Sequence, residues 1–260
     1  MFETILFSKE NHIGRIIINR PEVFNALNAK LLTELTEAIR DCHEDKDVRV
    51  VLLTGGGEKA FCSGADLKAG LSGGNTELGA TLRATYNPLI LAIRNIPKPV
   101  ICCLNGIAAG AGMSLALACD LIIARDDTYM TELFVGIGLM PDAGSMFFLP
   151  RIVGMQRAFE LFSSGRKIYM TEALSLGLVS KSVPVENLAG EVEKLLAYYT
   201  QAPTRSIGLM KQILNKTYES SLEEVLEMEA EAQTACGFTH DFAEGVMSFL
   251  QKRPPVFKGE

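Results

Sequence analysis

The sequence predicts an α/β protein built on a mostly parallel sheet. Three short runs are apolar and rich in β-branched residues: "VRVVLLTGG" (48–56), "KPVICCLNG" (98–106) and the "LIIAR" that ends "GAGMSLALACDLIIAR". Segments with apolar residues at helical spacing separate them, namely "NAKLLTELTEAIRDCHED" (28–45) and "YNPLILAIRNIP" (86–97). Buried strands that alternate with helices pair in parallel, with helices covering the sheet.

The two ends of the chain differ from this central pattern. "TILFSKENHIGRIIINRP" (4–21) alternates and then runs β-branched, which predicts two strands joined by a turn at residues 11–14. After Pro150 every segment has helical spacing, so we expect a helical layer that serves as an interface or lid. We divide the chain into a core, residues 1–198, and a C-terminal helical region, residues 199–260.

Composition excludes several classes of function. The 260 residues are 48% hydrophobic, which is ample for a buried core, and the net charge of −6 includes no basic block. Nucleic acid and anionic membrane surfaces are therefore not expected partners. The start, "MFETILFSKE", has no cationic stretch before an apolar run, and no segment is long enough to span a bilayer, which predicts a cytoplasmic protein.

Cysteine and histidine usage gives no sign of a metal centre. The six cysteines form no CxxC pair and the chain has only three histidines, so we expect reduced, mostly buried thiols and no metal. "GGGEKA" (55–60) fits the loose pattern G-x-G-x-x-A, but "FCSGADL" follows where a dinucleotide fold needs a helix. Motifs of phosphate loops and serine hydrolases are absent.

Two turns of small residues are the main candidates for a ligand site. "FCSGADL" (61–67) and "NGIAAGAGMSLALACD" (105–120) each follow a buried strand, and the second leads into a helix whose first N–H groups lack partners within the helix. One N–H from each turn could bind a single carbonyl oxygen, as an oxyanion hole does. The alternative is that glycine and alanine only allow strands and helices to pack closely.

One acid interrupts the apolar stretch "GIGLMPDAGSMFFLPRIVG" (136–154). Asp142 could be a surface turn residue, since Pro-Asp-Ala-Gly suits a turn and aspartate suits the start of a helix. It could instead lie where loss of water raises its proton affinity, with Phe134, Leu139, Met140 and Phe147 as apolar neighbours, and then serve as a general base.

The motifs together resemble the crotonase family of enoyl-CoA hydratases and isomerases. They are "AFCSGADLK" (60–68), "KPVICCLNGIAAGAGMSLALACD" (98–120), "IGLMPDAG" with "LPRIVG" (137–154), and "AEGVMSFLQKRPPVF" (243–257). Through "YNPL", "GAGMSLALACD" and "IGLMPDAG" the resemblance is closest to the ring-1,2-epoxyphenylacetyl-CoA isomerase type. It implies a spiral of repeated ββα turns, C-terminal helices that form trimers or hexamers, and an acyl-CoA substrate with no further cofactor.

The resemblance also implies roles for individual residues. The two amides of the hole fall on Ala65, after Gly64, and on Ala111, after Gly110. Asp66 would help to hold the first turn, Lys68 would lie near the nucleotide of CoA, and Lys252 could reach the CoA phosphates of a neighbouring subunit; either lysine could instead be merely solvated. The segment "AGLSGGNTELGATLRATYNPL" (69–89) would cover the acyl group.

Departures from the family pattern favour one chemistry over another. The positions where hydratases of the family carry two glutamates are Ser114 and Phe134 here, and Asp142 is the acid that remains. The leading hypothesis is therefore an enoyl-CoA isomerase in which Asp142 moves a proton between two carbons. The alternatives are a hydratase in which Asp142 activates water, with Ser114 helping to position it, a nucleophilic role for Asp142, and a non-catalytic acyl-CoA binder.

Overall fold

The computed structural model describes residues 2–68 and 77–260, and these residues form two β-sheets with helices around them. The larger sheet has the order β1-β2-β3-β5-β7-β10 and the smaller one the order β4-β6-β8-β9. The strands are β1 Ile5–Glu10, β2 Ile13–Ile18, β3 Val50–Gly55, β4 Ala60–Cys62, β5 Val100–Leu104, β6 Ile107–Ala109, β7 Leu121–Arg125, β8 Tyr129–Thr131, β9 Ile168–Tyr169 and β10 Lys181–Val183.

The chain winds as a spiral between the sheets. Each of β3, β5 and β7 adds a parallel strand to the larger sheet, and the strand that follows it, β4, β6 or β8, adds one to the smaller sheet. A helix then returns the chain to the next turn. This confirms the repeated ββα unit that the resemblance implies, and it places β4 and β6, with the turns that follow them, side by side.

The helices lie where helical spacing predicts them in the first half of the chain. They are α1 Ala29–Glu44, α2 Leu78–Thr81, α3 Asn87–Asn95, α4 Ala111–Ala118, α5 Ser145–Val153, α6 Met155–Ser164, α7 Met170–Ser175, α8 Val185–Gln201, α9 Thr204–Leu214, α10 Leu222–Gly237 and α11 His240–Gln251. A single π-helical turn, Leu82–Tyr86, joins α2 to α3. The expected hairpin of β1 and β2 turns at Asn11 and His12, both with positive φ.

The expectation that "QRAFELFSSGRKIYMTEALSLGLV" (156–179) is helical is wrong at one strand, and a second strand lies between two of the segments expected to be helical. Ile168 pairs with Met130 at the edge of the smaller sheet, and β10 pairs with β7 in the larger one. Strands of two and three residues are too short to show a period of two, and pairing with an existing sheet edge decides their conformation. The core therefore extends past Pro150, while the proposed division at residue 198 stays a prediction.

The C-terminal helices leave most of their apolar side chains exposed. No residue of α10 is buried, and Phe249 and Leu250 of α11 are 83% and 69% exposed. Arg49 ties this region to the core, since its guanidinium donates to the Ala202 and Phe257 carbonyl oxygens. Among residues 2–68 and 77–260, no helix has both the length and the apolar content to cross a bilayer. The six cysteines are free thiols, as expected.

Candidate functional site

The first glycine turn pairs with the backbone of Leu27, and this pairing directs the Ala65 amide away from Leu27. Leu27 N donates to the Gly64 carbonyl oxygen, and Asp66 N donates to the Leu27 carbonyl oxygen, both at 2.8 Å. In this parallel bridge the groups that flank Ala65 bond to Leu27, so the N–H and C=O of Ala65 itself point to the opposite side. Arg20 donates to Asp66 at 2.9 Å and holds the turn from outside.

The second turn presents the N-terminus of α4. Gly110 has φ +51 and donates its N–H to the Thr131 carbonyl oxygen at 2.8 Å, which ties the turn to β8. Ala111 is the first residue of α4, so its N–H has no acceptor one turn earlier in the helix. A positive φ is easily adopted by glycine, which accounts for Gly110 at this point.

The two turns are in direct contact, and this contact requires glycine. A Cβ atom placed on Gly64 would lie 2.8 Å from the Ala109 carbonyl oxygen and 3.6 Å from the Ala111 amide nitrogen. A Cβ atom placed on Gly112 would lie only 2.2 Å from the Cys62 carbonyl oxygen. The turns that carry the Ala65 and Ala111 amides are therefore packed directly against each other, as the predicted pair of hydrogen-bond donors requires.

Asp142 lies in the loop before α5 and does not cap that helix. Helix α5 begins at Ser145 with Gly144 as its N-cap and no side-chain cap, which removes the capping alternative for Asp142. Its Oδ1 atom is buried and has no hydrogen-bond partner among the residues that the structure describes. Burial raises the pKa of Asp142 from 3.8 to about 6. A carboxyl group with this pKa can both accept and return a proton near neutral pH.

The apolar surroundings of Asp142 differ from the expected ones. Phe134 is buried, and its ring lies 3.8 Å from the place that a Cβ atom on Gly110 would occupy. Met140 is 67% exposed, and Leu139 and Phe147 are more than a third exposed, so these three exclude less water than expected. Tyr86, at the end of the π-helical turn, is buried as well. Burial raises the pKa of its hydroxyl, and the nearby Asp142 charge raises it further.

Glu132 is a second acid that sequence reasoning missed. It follows β8 directly and is fully buried. Ser145 Oγ donates to its Oε1 atom at 2.5 Å, while its Oε2 atom has no hydrogen-bond partner within residues 2–68 and 77–260. Burial raises the pKa of Glu132 to about 8, the Ser145 hydrogen bond opposes this, and the Asp142 charge adds to it. The only sequence signal was an acid between a strand and the apolar stretch "LFVGIGLM".

The other predicted residues lie in different surroundings. Ser114 is fully buried within α4, and its hydroxyl donates to the Gly110 carbonyl oxygen at 3.4 Å, a bond along its own helix. Lys68 follows the first turn and is exposed. Lys252 is exposed at the C-terminal end of α11, outside the elements that form the two turns. Of the segment 69–89, residues 69–76 lie outside the described residues.

Comparison with known proteins gives a consistent result over the whole chain. A family model described as enoyl-CoA hydratase/isomerase matches residues 8–260. The 1,2-epoxyphenylacetyl-CoA isomerase of Escherichia coli (strain K12) is 36% identical over 263 residues, which cover 100% of both proteins. A probable enoyl-CoA hydratase of Rhodobacter capsulatus is 40% identical over 258 residues, 99% of each chain.

A solved structure agrees with these sequence comparisons. The crystal structure of an enoyl-CoA hydratase from Bacillus anthracis superposes with a TM-score of 0.94 at 35% sequence identity. The superposition covers 99% of this chain and 100% of that one.

Proposed function

Because the chain belongs to the enoyl-CoA hydratase/isomerase family, we propose that it is an enoyl-CoA isomerase that uses Asp142 as its acid and base. The observation that carries this proposal is the burial of Asp142, which raises its pKa to about 6. The relatives bear both isomerase and hydratase names, so the choice between the two reactions rests on the side chains of this chain.

The proposed reaction uses three groups. The thioester carbonyl oxygen of an enoyl-CoA accepts hydrogen bonds from the Ala65 and Ala111 amides, which stabilise the negative charge that develops on it. Asp142 removes a proton from one carbon of the acyl chain, and the electron pair delocalises into a dienolate. The protonated Asp142 then returns the proton to another carbon, which moves the double bond and regenerates the carboxylate.

Hydration is the second candidate, and the Rhodobacter capsulatus relative favours it. Hydration requires a group that holds and activates water. Ser114 and Phe134 occupy the positions where we expect the two glutamates of hydratases, and the Ser114 hydroxyl is bonded within α4. Asp142 would then have to activate water alone, which is why we place isomerisation first. A non-catalytic acyl-CoA binder is the third candidate.

Two substrates distinguish these functions. A 3-enoyl-CoA should give a rise in the absorbance of the conjugated thioester, because isomerisation creates the conjugated double bond. A trans-2-enoyl-CoA should lose this absorbance only slowly. Rapid hydration of the trans-2-enoyl-CoA would contradict the isomerase proposal, and tight binding of both esters without turnover would support the binder. Asp142→Asn is the matched control for turnover.

We also propose that the protein assembles as a homotrimer or hexamer. The apolar side chains of α10 and α11 that helical spacing predicted to be covered are exposed in the single chain, among them Leu222, Phe242 and Phe249. Exposed apolar side chains in this number favour contact with another subunit. Lys252 follows directly on α11, and in this assembly we propose that it contacts the CoA bound to a neighbouring subunit.

A further inference from the structure

Two carboxyl groups, those of Glu132 and Asp142, interact electrostatically, and each has a buried oxygen atom without a hydrogen-bond partner among residues 2–68 and 77–260. The atoms are Glu132 Oε2 and Asp142 Oδ1. Glu132 follows β8, whose last residue, Thr131, accepts the hydrogen bond from Gly110. Asp142 lies on the loop that leads to Ser145, and Ser145 N donates to the Asp142 carbonyl oxygen at 3.1 Å. Ser145 thus contacts both acids.

Electrostatics decides which of the two acids keeps its proton. Burial raises the pKa of both acids, and the Asp142 charge raises the pKa of Glu132 further. Glu132 is fully buried, whereas Asp142 is partly exposed, so ionisation costs more at Glu132. The groups that face Glu132 are the Ser145 hydroxyl and the Asp142 carboxylate, and Tyr86 is a neutral hydroxyl near Asp142. None of these groups supplies a positive charge that would stabilise a Glu132 anion.

We propose that Glu132 is a positioning residue that remains protonated, fixed by Ser145, so that Asp142 is the single anionic carboxyl group of the site. This inference rests on the proposed role of Asp142. A neutral Glu132 adds no negative charge near the forming enolate, and it supports the loop through Ser145. If Glu132 ionised, its charge would oppose the enolate and would make Asp142 hold its proton more tightly. Turnover should therefore fall on the alkaline side as Glu132 loses its proton, near pH 8.

Glu132→Gln tests this inference because glutamine imitates a protonated glutamate. The amide oxygen can accept from Ser145, the amide N–H replaces the O–H group, and the side chain is neutral at every pH. We expect kcat at pH 7 within about threefold of wild type, an unchanged acid limb and no alkaline decrease near pH 8. Glu229→Gln, at an exposed position on α10, is the control and should keep both limbs. An alkaline limb that persists in Glu132→Gln would overturn the inference.

Ser145→Ala gives a second, directional test. Its hydroxyl stabilises the ionised form of Glu132, so its removal should raise the pKa of Glu132 further and shift the alkaline limb to higher pH. A shift to lower pH would contradict the inference. Wild-type turnover in Asp142→Asn would instead refute Asp142 as the base. Failure of the proposed function can therefore be distinguished from failure of the inference about Glu132.

The protonation of Glu132 can also be tested without substrate, through the pH dependence of the free energy of unfolding. The folded state holds the Glu132 proton up to about pH 8, while the unfolded state loses it near its ordinary pKa of 4.5. Wild type should therefore lose stability as the pH rises between these values, and Glu132→Gln should lose less. Urea unfolding at pH 5 and pH 8 measures this difference. Equal pH dependence in both proteins would overturn the inference.

Discussion

Asp142→Asn should inactivate the enzyme and stabilise it at the same time. Asparagine keeps the shape of the side chain but cannot exchange a proton, and a general acid–base group typically contributes about 10²- to 10⁴-fold to turnover. We expect kcat to fall by that factor, while binding of acyl-CoA stays nearly unchanged because the Ala65 and Ala111 amides remain in place.

The gain in stability follows from the cost of burying the Asp142 charge. The rise in the pKa of Asp142 from 3.8 to about 6 corresponds to about 3 kcal/mol at neutral pH. The side chain is partly exposed, and screening by solvent reduces this to about 2 kcal/mol. For a chain of this size, this amounts to a rise in Tm of about 4–8 °C.

The pH dependence gives this prediction its sign. Between pH 4 and pH 6 the folded state keeps a proton on Asp142 that the unfolded state has lost, so wild type loses stability as the pH rises through this interval. Asp142→Asn should lack the part of this decrease that Asp142 causes and keep the part that Glu132 causes. In the wild type, kcat should fall about tenfold per pH unit below pH 6, as the base becomes protonated. Full turnover and an unchanged Tm in the variant would show that Asp142 is an ordinary turn residue.

Two further predictions concern the packing of the site and the assembly. Gly112→Ala places a Cβ atom 2.2 Å from the Cys62 carbonyl oxygen. Helix α4 must then move away from β4, so both stability and turnover should fall sharply. Gly190→Ala is the control, because its added Cβ atom meets no atom of the described residues within 4 Å, and it should keep turnover in the same enoyl-CoA assay. If the proposed oligomer forms through α11, Phe249→Glu should dissociate it, as judged by analytical ultracentrifugation, whereas Gln251→Glu on the same helix should not. An unchanged mass for Phe249→Glu would count against α11 as the interface.

The sequence predicted the elements that carry strong periodicity. Helix α1 begins one residue after Asn28, whose side chain accepts from Leu31 N, and its apolar spacing fixes the face that packs on the sheet. The strands β3, β5 and β7 are buried on both sides and were evident from their composition. In contrast, β9 and β10 have too few residues to show a pattern, and only the open edges of the two sheets determine them.

The candidate site could be predicted only in part from sequence. The turns at Gly64 and Gly110 were recognisable because close backbone contacts require small residues, and Asp142 stood out as an acid in an apolar stretch. Glu132 gave no comparable signal, because its hydrogen-bond partner Ser145 is 13 residues further along the chain and its burial is a property of the folded structure. The exposure of Met140 depends likewise on the path of the loop, which the local sequence does not fix.

The two buried acids should separate the pH of greatest stability from the pH of greatest activity. The proposed mechanism uses an ionised Asp142 and a protonated Glu132, which predicts an activity maximum between about pH 6 and pH 8. Both groups hold protons more tightly in the folded state, so both reduce stability as the pH rises toward that interval. Acids such as Glu244, whose pKa is lowered to about 2 by Arg253, act in the opposite direction only at lower pH. The acids at this site therefore lower the stability of the fold across the same pH interval in which the proposed chemistry operates.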